Sequence, residues 1–185
     1  MRIISGRFKS RKIIFPKLSK IRPTSDKVKE AIFNILFHRF NFSNSLEGVK
    51  VLDLFAGTGS LSLEALSRGA SYATMIENDS FAYINLKKNI SALGLDNLAS
   101  LINADILSME YNIISHDLCF IDAPYYSNYT PKVLIKALKS NWIKKGSLVI
   151  CELARDEDFD IPDNFINLLF KDYGKTRIYF LNIKP

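Results

Sequence analysis

Two short segments of this 185-residue chain carry side chains whose types and spacing suit chemistry. The first is Val51-Leu-Asp-Leu-Phe-Ala-Gly-Thr-Gly-Ser60, an apolar run interrupted by Asp53 and closed by Gly57 and Gly59. Glycines at such a turn take positive φ and let backbone approach a ligand closely. Glu77 lies 20 residues beyond Gly57, where an acid at the end of the next strand can hold the two hydroxyls of a ribose. Asp105 follows the strand after that and can meet an adenine edge. Strand, glycine turn, helix and spaced acid together point to a nucleoside cofactor. A dinucleotide fingerprint asks for a third small residue at G-x-G-x-x-G, and Ser62 stands there instead. Asp53, four residues before Gly57, is poor company for a pyrophosphate. It suits a ligand carrying an ammonium and a sulfonium, which favours S-adenosylmethionine over NAD.

The second segment is Cys119-Phe-Ile-Asp-Ala-Pro-Tyr-Tyr126. A buried strand there delivers Asp122 to the sheet's carboxyl edge, Pro124 stiffens the loop, and Tyr125 offers a flat face. This suits methyl transfer to an exocyclic amine, whose lone pair is delocalised into its ring. Asp122 and nearby carbonyls can accept the amino hydrogens and orient the nitrogen. Tyr125 can stack on the base, a contact worth about 1–3 kcal/mol. A base inside a helix has to be extruded first.

These residues must be positioned by a βα framework. Apolar runs predict strands near Val49–Phe55, Tyr72–Glu77, Ala99–Asn103, Asp117–Asp122, Ser147–Leu153 and Arg177–Ile183. Helical spacing predicts helices near residues 26–40 (capped by Thr24 or Ser25), Ser60–Arg68, Ser80–Leu93 and Pro131–Asn141, with a shorter one near Asn164–Leu169. Nearly continuous apolar strands alternating with helices imply an α/β fold with a mostly parallel, doubly wound sheet. Phe170–Ile183 reads as two strands about a tight turn at Gly174, so the end of the sheet is antiparallel. Cys119, Cys151 and Trp142 read as core, and His38 and His116 lack ligand partners. Neither a disulfide scaffold nor a metal site follows from two cysteines and two histidines.

Length and composition fit one globular unit, with 48% hydrophobic and 24% charged residues. No apolar run approaches the roughly 18 residues that span a bilayer, and no secretory signal is legible in MRIISGRFKS. The expectation is a cytoplasmic monomer. The net charge of +6 is unevenly spread. Residues 1–30 hold ten Lys/Arg and two acids, while the other 155 hold 15 basic and 17 acidic side chains. A concentrated basic arm is the footprint of a polyanion binder. Arg2, Arg7, Lys9, Arg11 and Lys12 alternate with Ile3, Ile4, Phe8, Ile13 and Ile14, which predicts a hairpin turning at Gly6 or Lys9-Ser10 rather than a loose tail.

With these motifs in place, the chain resembles class I S-adenosylmethionine-dependent methyltransferases acting on amino nitrogens. More narrowly it resembles the bacterial 16S ribosomal RNA guanine-N2 methyltransferases of the RsmD type. The likeness is carried by Arg2-Ile-Ile-Ser-Gly-Arg-Phe-Lys-Ser-Arg-Lys, Arg22-Pro-Thr-Ser-Asp-Lys-Val-Lys-Glu30, Leu52–Gly69 and Lys175-Thr-Arg-Ile-Tyr179. It implies a basic β-hairpin extension over 1–22, with Arg22 joining the arm's cations on RNA, and a Rossmann-like methyltransferase domain over 23–185. It implies S-adenosylmethionine held by Asp53, Phe55, Gly57, Gly59 and Glu77. Ala56, Asn78 and Asp105 complete the expected cofactor site, and Asp122, Pro124 and Tyr125 stand at the target base. It further implies a guanine of 16S rRNA, presented by a small ribosomal subunit or its assembly intermediate. Ala123 departs from the family pattern, which has proline there. Competing readings are an amino-methyltransferase on adenine N6 or a protein glutamine, a nicotinamide oxidoreductase, and a non-catalytic RNA-binding assembly factor.

Overall fold

The apolar runs become the strands of one sheet in the computed structural model, which describes residues 1–15, 25–40, 42 and 44–184. Arg22, with the rest of 16–24, lies outside the described residues. Helix α1 (Asp26–Arg39) leads into β1 (Lys50–Asp53), α2 (Ser60–Ser67), β2 (Tyr72–Glu77), α3 (Ser80–Ala92) and β3 (Ala99–Asn103). Then come β4 (His116–Ile121), α4 (Tyr129–Lys139), β5 (Ile143–Ala154), β6 (Phe165–Tyr173) and β7 (Thr176–Ile183). The seven strands lie in the order β3-β2-β1-β4-β5-β7-β6. β1 pairs in parallel with both β2 and β4, whereas β7 runs antiparallel to β5 and β6. The chain leaves β1 toward β2 and β3, then resumes on its other side at β4. A crevice therefore opens between β1 and β4, at the point where open α/β sheets bind ligands.

Strand residues alternate between faces, and the two sets build separate cores. Val51, Met75, Phe120, Ile150 and Phe180 pack with Phe33 of α1, Leu63 of α2 and Leu86 of α3. Leu52, Ile76, Cys119, Val149 and Leu181 pack with Val133 and Leu134 of α4. Both cysteines are buried and free. Ser25 caps α1, its hydroxyl accepting from the Val28 N–H at 3.2 Å, and Asp26 sits in the first turn where the helix dipole favours an anion.

The short helix expected at Asn164–Leu169 is instead the start of strand β6. Phe165 tucks into the core while Ile166, Leu168 and Phe170 face outward on an edge strand. Pairing along β7, from Phe165 opposite Ile183 to Tyr173 opposite Thr176, outweighs the weak helical preference of six residues. The turn at Gly174, with φ +63°, closes the hairpin.

The basic arm forms a small hairpin, with Arg2 bridging Lys12 and turns that place Gly6 and Ser10 at positive φ. Ile3 and Ile13 enter the same core as the sheet, whereas Arg2, Arg7, Lys9, Arg11 and Lys12 are exposed. Polar side chains from the helices fasten the arm's backbone. The fully buried Glu64 of α2 accepts from the N–H groups of Ile4 (2.7 Å) and Ser5 (3.0 Å). Asn89 of α3 accepts from the Ile14 N–H at 2.8 Å and donates to the Ile14 carbonyl at 3.1 Å. Lys29 of α1, also fully buried, donates to the Arg2 carbonyl at 2.7 Å and lies 3.9 Å from Glu64.

Candidate active site

Register brings the acids together. Asp53 stands opposite Met75 on one side and Phe120 on the other. Glu77 and Asp122 each follow two residues further along, so three carboxylates crown the carboxyl ends of adjacent strands β2, β1 and β4. The chain turns after Asp53 into the glycine loop. Gly57 and Gly59 have φ of +54° and +78°, a conformation that side chains disfavour. A Cβ on Gly59 would also lie 2.3 Å from Leu86.

Glu77, almost wholly buried, supports this loop. One of its oxygens accepts from the Gly57 N–H at 2.7 Å and the other from the Asp79 N–H at 2.8 Å. Each carboxylate oxygen has a further lone pair, so capacity remains for a ribose. Asn103 at the end of β3 donates to the Glu77 carbonyl at 2.7 Å, and Asn78 is exposed beside it. Asp105 is exposed and starts a single helical turn, its side chain accepting from the Leu107 N–H at 2.9 Å. Asp53 is 2% exposed. Burial pushes its carboxyl up to about 7, and the negative Glu77 adds to the rise against a hydrogen bond from Ser62. That bond, Ser62 Oγ to Asp53 Oδ2 at 2.6 Å, fixes the carboxyl from the first turn of α2. In the sequence Ser62 stands out only as a mismatch to a dinucleotide motif. Its place on a helix starting at Ser60, facing back to the strand, was the available signal.

Across the crevice, Asp122 is half-buried at the tip of β4 and Ala123 packs into the core at 4% exposure. Pro124 is exposed. Tyr125 is held by its hydroxyl, which donates to Glu152 of β5 at 2.8 Å and lies 3.0 Å from the Thr176 hydroxyl of β7. Burial, then the nearby Glu152 charge, holds this phenol well above the usual tyrosine range. Nothing in the sequence links positions 125, 152 and 176; sheet pairing brings them together. Phe55 after β1 and Tyr129 at the start of α4 meet edge to face, 6.4 Å between centroids, joining the two loops. His116 lies away from this site, its ring nitrogens bonded to the Trp142 carbonyl (2.9 Å) and the Thr74 hydroxyl (2.8 Å). Among the described residues no group of three or more His, Cys, Asp or Glu side chains could hold a metal ion.

The site fits the cation expected from the sequence. A carboxyl buried beside a second acid gains from a positive partner, and the left-handed glycines shape the loop beside it, Gly59 making room for Leu86 and Leu63. The strand order, with its crevice between β1 and β4 and its antiparallel seventh strand, together with this acid-lined glycine turn, defines a class I S-adenosylmethionine-dependent methyltransferase. Within that class, the model of the family described as conserved hypothetical protein 95 matches residues 1–182, and the chain belongs to that family, the RsmD-type methyltransferases. The ribosomal RNA small subunit methyltransferase D of Haemophilus influenzae is 34% identical over 178 residues, covering 94% of this chain and 89% of its own. Its namesake from Buchnera aphidicola (subsp. Acyrthosiphon pisum) is 33% identical over 165 residues, 88% of this chain and 83% of its own. The solved Escherichia coli protein YhhF superimposes with a TM-score of 0.84 at 26% identity, over 100% of this chain and 98% of its own.

Proposed function

We propose that this enzyme transfers a methyl group from S-adenosylmethionine to the exocyclic N2 of a guanine in small-subunit (16S) ribosomal RNA. The observation that supports the reading is the crevice itself: Asp122 follows β4 two residues beyond the Phe120–Asp53 pair, beside the strand end that carries the glycine loop, at the switch point. The names of the relatives, which act on small-subunit ribosomal RNA, supply the substrate class.

Bound S-adenosylmethionine supplies an electrophilic methyl group on a sulfonium. Asp53 and Glu77 would hold the positive donor, with the ribose hydroxyls at Glu77, Phe55 and Ala56 along the loop, and Asn78 and Asp105 toward the nucleoside. Asp122 and neighbouring carbonyls accept the amino hydrogens of guanine N2 and aim the nitrogen at the methyl. Pro124 restricts the loop, and Tyr125, anchored at Glu152 and Thr176, stacks on the base. Alignment of this kind supplies about 7–11 kcal/mol in favourable cases. The exposed cations Arg2, Arg7, Lys9, Arg11 and Lys12, with Arg22, bind the RNA backbone. On this reading the enzyme acts as a cytoplasmic monomer on a small subunit or an assembly intermediate.

The test incubates the enzyme with labelled S-adenosylmethionine and small subunits lacking the mark, then digests the RNA to nucleosides. N2-methylguanosine is the expected product, and Asp122→Ala abolishes its formation. N6-methyladenosine as the only product, or full activity in Asp122→Ala, would reject the reading.

A further inference from the structure

Beside Tyr125 the sheet end opens into a crevice of about 530 Å³, lined by Tyr125, Tyr126, Arg155, Asp156, Gly174 and Lys175 among others. A volume in the range of small-ligand sites exceeds what Tyr125 needs to stack on one base. Tyr126 is the unusual residue. Its φ is +58°, a conformation that costs a bulky side chain energy. It is also 67% exposed, so no core packing rewards the strain. Its hydroxyl instead donates to Asp156 at 2.7 Å, and its ring stands perpendicular to Tyr125 at 6.4 Å between centroids. A strained, solvent-facing aromatic ring is thereby tied to Asp156 next to the proposed base site.

The surrounding charges suit a phosphodiester. Arg155 and Lys175 come from two loops joined by a hydrogen bond from the Arg155 N–H to the Lys175 carbonyl at 2.9 Å. Asp156 is engaged by Tyr126, and Asp172 by the two-pronged contact of Arg177 (2.7 and 3.0 Å). Arg155 touches Asp172 only at 3.3 Å, with 61% of its side chain exposed. Glu157 turns inward, accepting from the Ala154 N–H at 3.2 Å.

We infer that this crevice is a subsite for the nucleotide adjoining the target guanine, its base stacked on Tyr126 and its phosphate met by Arg155 and Lys175. This rests on the RNA reading above. Extruding a guanine breaks its stacking with a neighbour, and Tyr126 replaces that partner for the neighbour left behind.

The experiment uses the full chain with S-adenosylhomocysteine and two single-stranded RNA heptamers, each with one central guanine and 2-aminopurine at its 5′ or 3′ neighbour. Stacking quenches 2-aminopurine fluorescence. Quenching is expected with one of the two RNAs, kept in Tyr126→Phe and lost in Tyr126→Ala, with about a tenfold or greater loss of affinity in Tyr126→Ala. Arg155→Glu/Lys175→Glu weakens binding and flattens its salt dependence. Wild-type binding with no quenching that depends on Tyr126 overturns the subsite and leaves the RNA reading standing. Failure of the wild type to bind either RNA, while small subunits also go unmethylated, overturns both.

Discussion

Asp53 carries a stability cost that a ligand can remove. Its carboxyl titrates at about 7 in the folded chain against an ordinary 3.8, chiefly because it is buried. A carboxyl raised by folding holds a proton the unfolded chain has already released, so its contribution worsens as pH climbs from about 4 to about 7 and is constant above. Asp53→Asn should flatten that part of the stability–pH curve in urea titrations. A cation in the crevice favours the ionised form, so donor binding at pH 6 should expel most of one proton, read by calorimetry in buffers of different ionisation enthalpy. Asp53→Asn should eliminate the release and cost about tenfold to a hundredfold in donor affinity, as for losing a charged contact worth about 1.5–3 kcal/mol. Absence of release in the wild type would show that Asp53 does not face the positive charge. At this scale the sequence was informative about strand ends: the places of Asp53, Glu77 and Asp122 there were all legible. Ser62, Glu152 and Thr176 were not, because their roles exist only once the helix start and strands β5 and β7 are laid beside those ends.

Most elements were legible because their periodicity is strong, and the two surprises have a common cause. The first half of β6 is defined by its partner β7 rather than by its own residues, whereas its end, residues 170–173, reads as a strand in sequence. The arm reads as a hairpin in sequence, yet its attachment depends on side chains 27 to 75 positions away. Gly6 has φ +79°, and a Cβ there would lie 1.9 Å from the Ser67 carbonyl oxygen. Gly6→Ala should therefore lift the arm from α2 and cut hydrogen-exchange protection of the Ile4, Ser5, Arg7 and Phe8 amides at least tenfold. Unchanged protection would mean that the close approach is not needed. Glu64 is another fastening. Burial lowers the Lys29 pKa, and Glu64 is the first of the charges opposing that fall. Glu64→Leu should destabilise the fold by about 3–5 kcal/mol by removing a buried partner of both Lys29 and Arg68, with Asp26 at 3.9 Å left to face Lys29, while adding Lys29→Met should recover part of the loss. Urea unfolding of both variants checks this; a double variant no better than the single one would place Glu64's contribution in its bonds to the arm's backbone and to Arg68 instead.

The molecule as a whole is polarised. Its excess positive charge lies within the first 30 residues, while the remainder is net −2. The hairpin's geometry sharpens this, since Ile3 and Ile13 anchor inward and the exposed cations stand on the solvent side. The arm also reaches the cofactor end: Asn89 donates both to the Ile14 carbonyl and to the Thr58 carbonyl of the glycine loop, at 3.1 and 3.2 Å. Two outcomes can therefore be separated. If the cations act on RNA phosphates, replacing Arg7, Lys9 and Arg11 together by glutamate should lower RNA affinity steeply at low salt. The slope of log K against log salt should shrink by roughly 2 for three single-strand phosphate contacts, at about 0.7 each. Donor affinity should hold, because none of the three side chains makes the bonds to Glu64, Asn89 or Lys29 that join arm to loop. Parallel titrations of a single-stranded RNA and of S-adenosylmethionine, from about 50 to 200 mM salt as in such measurements, give the answer. Equal loss of both ligands would mean that the arm serves the cofactor loop as a brace, and that the RNA is gripped elsewhere.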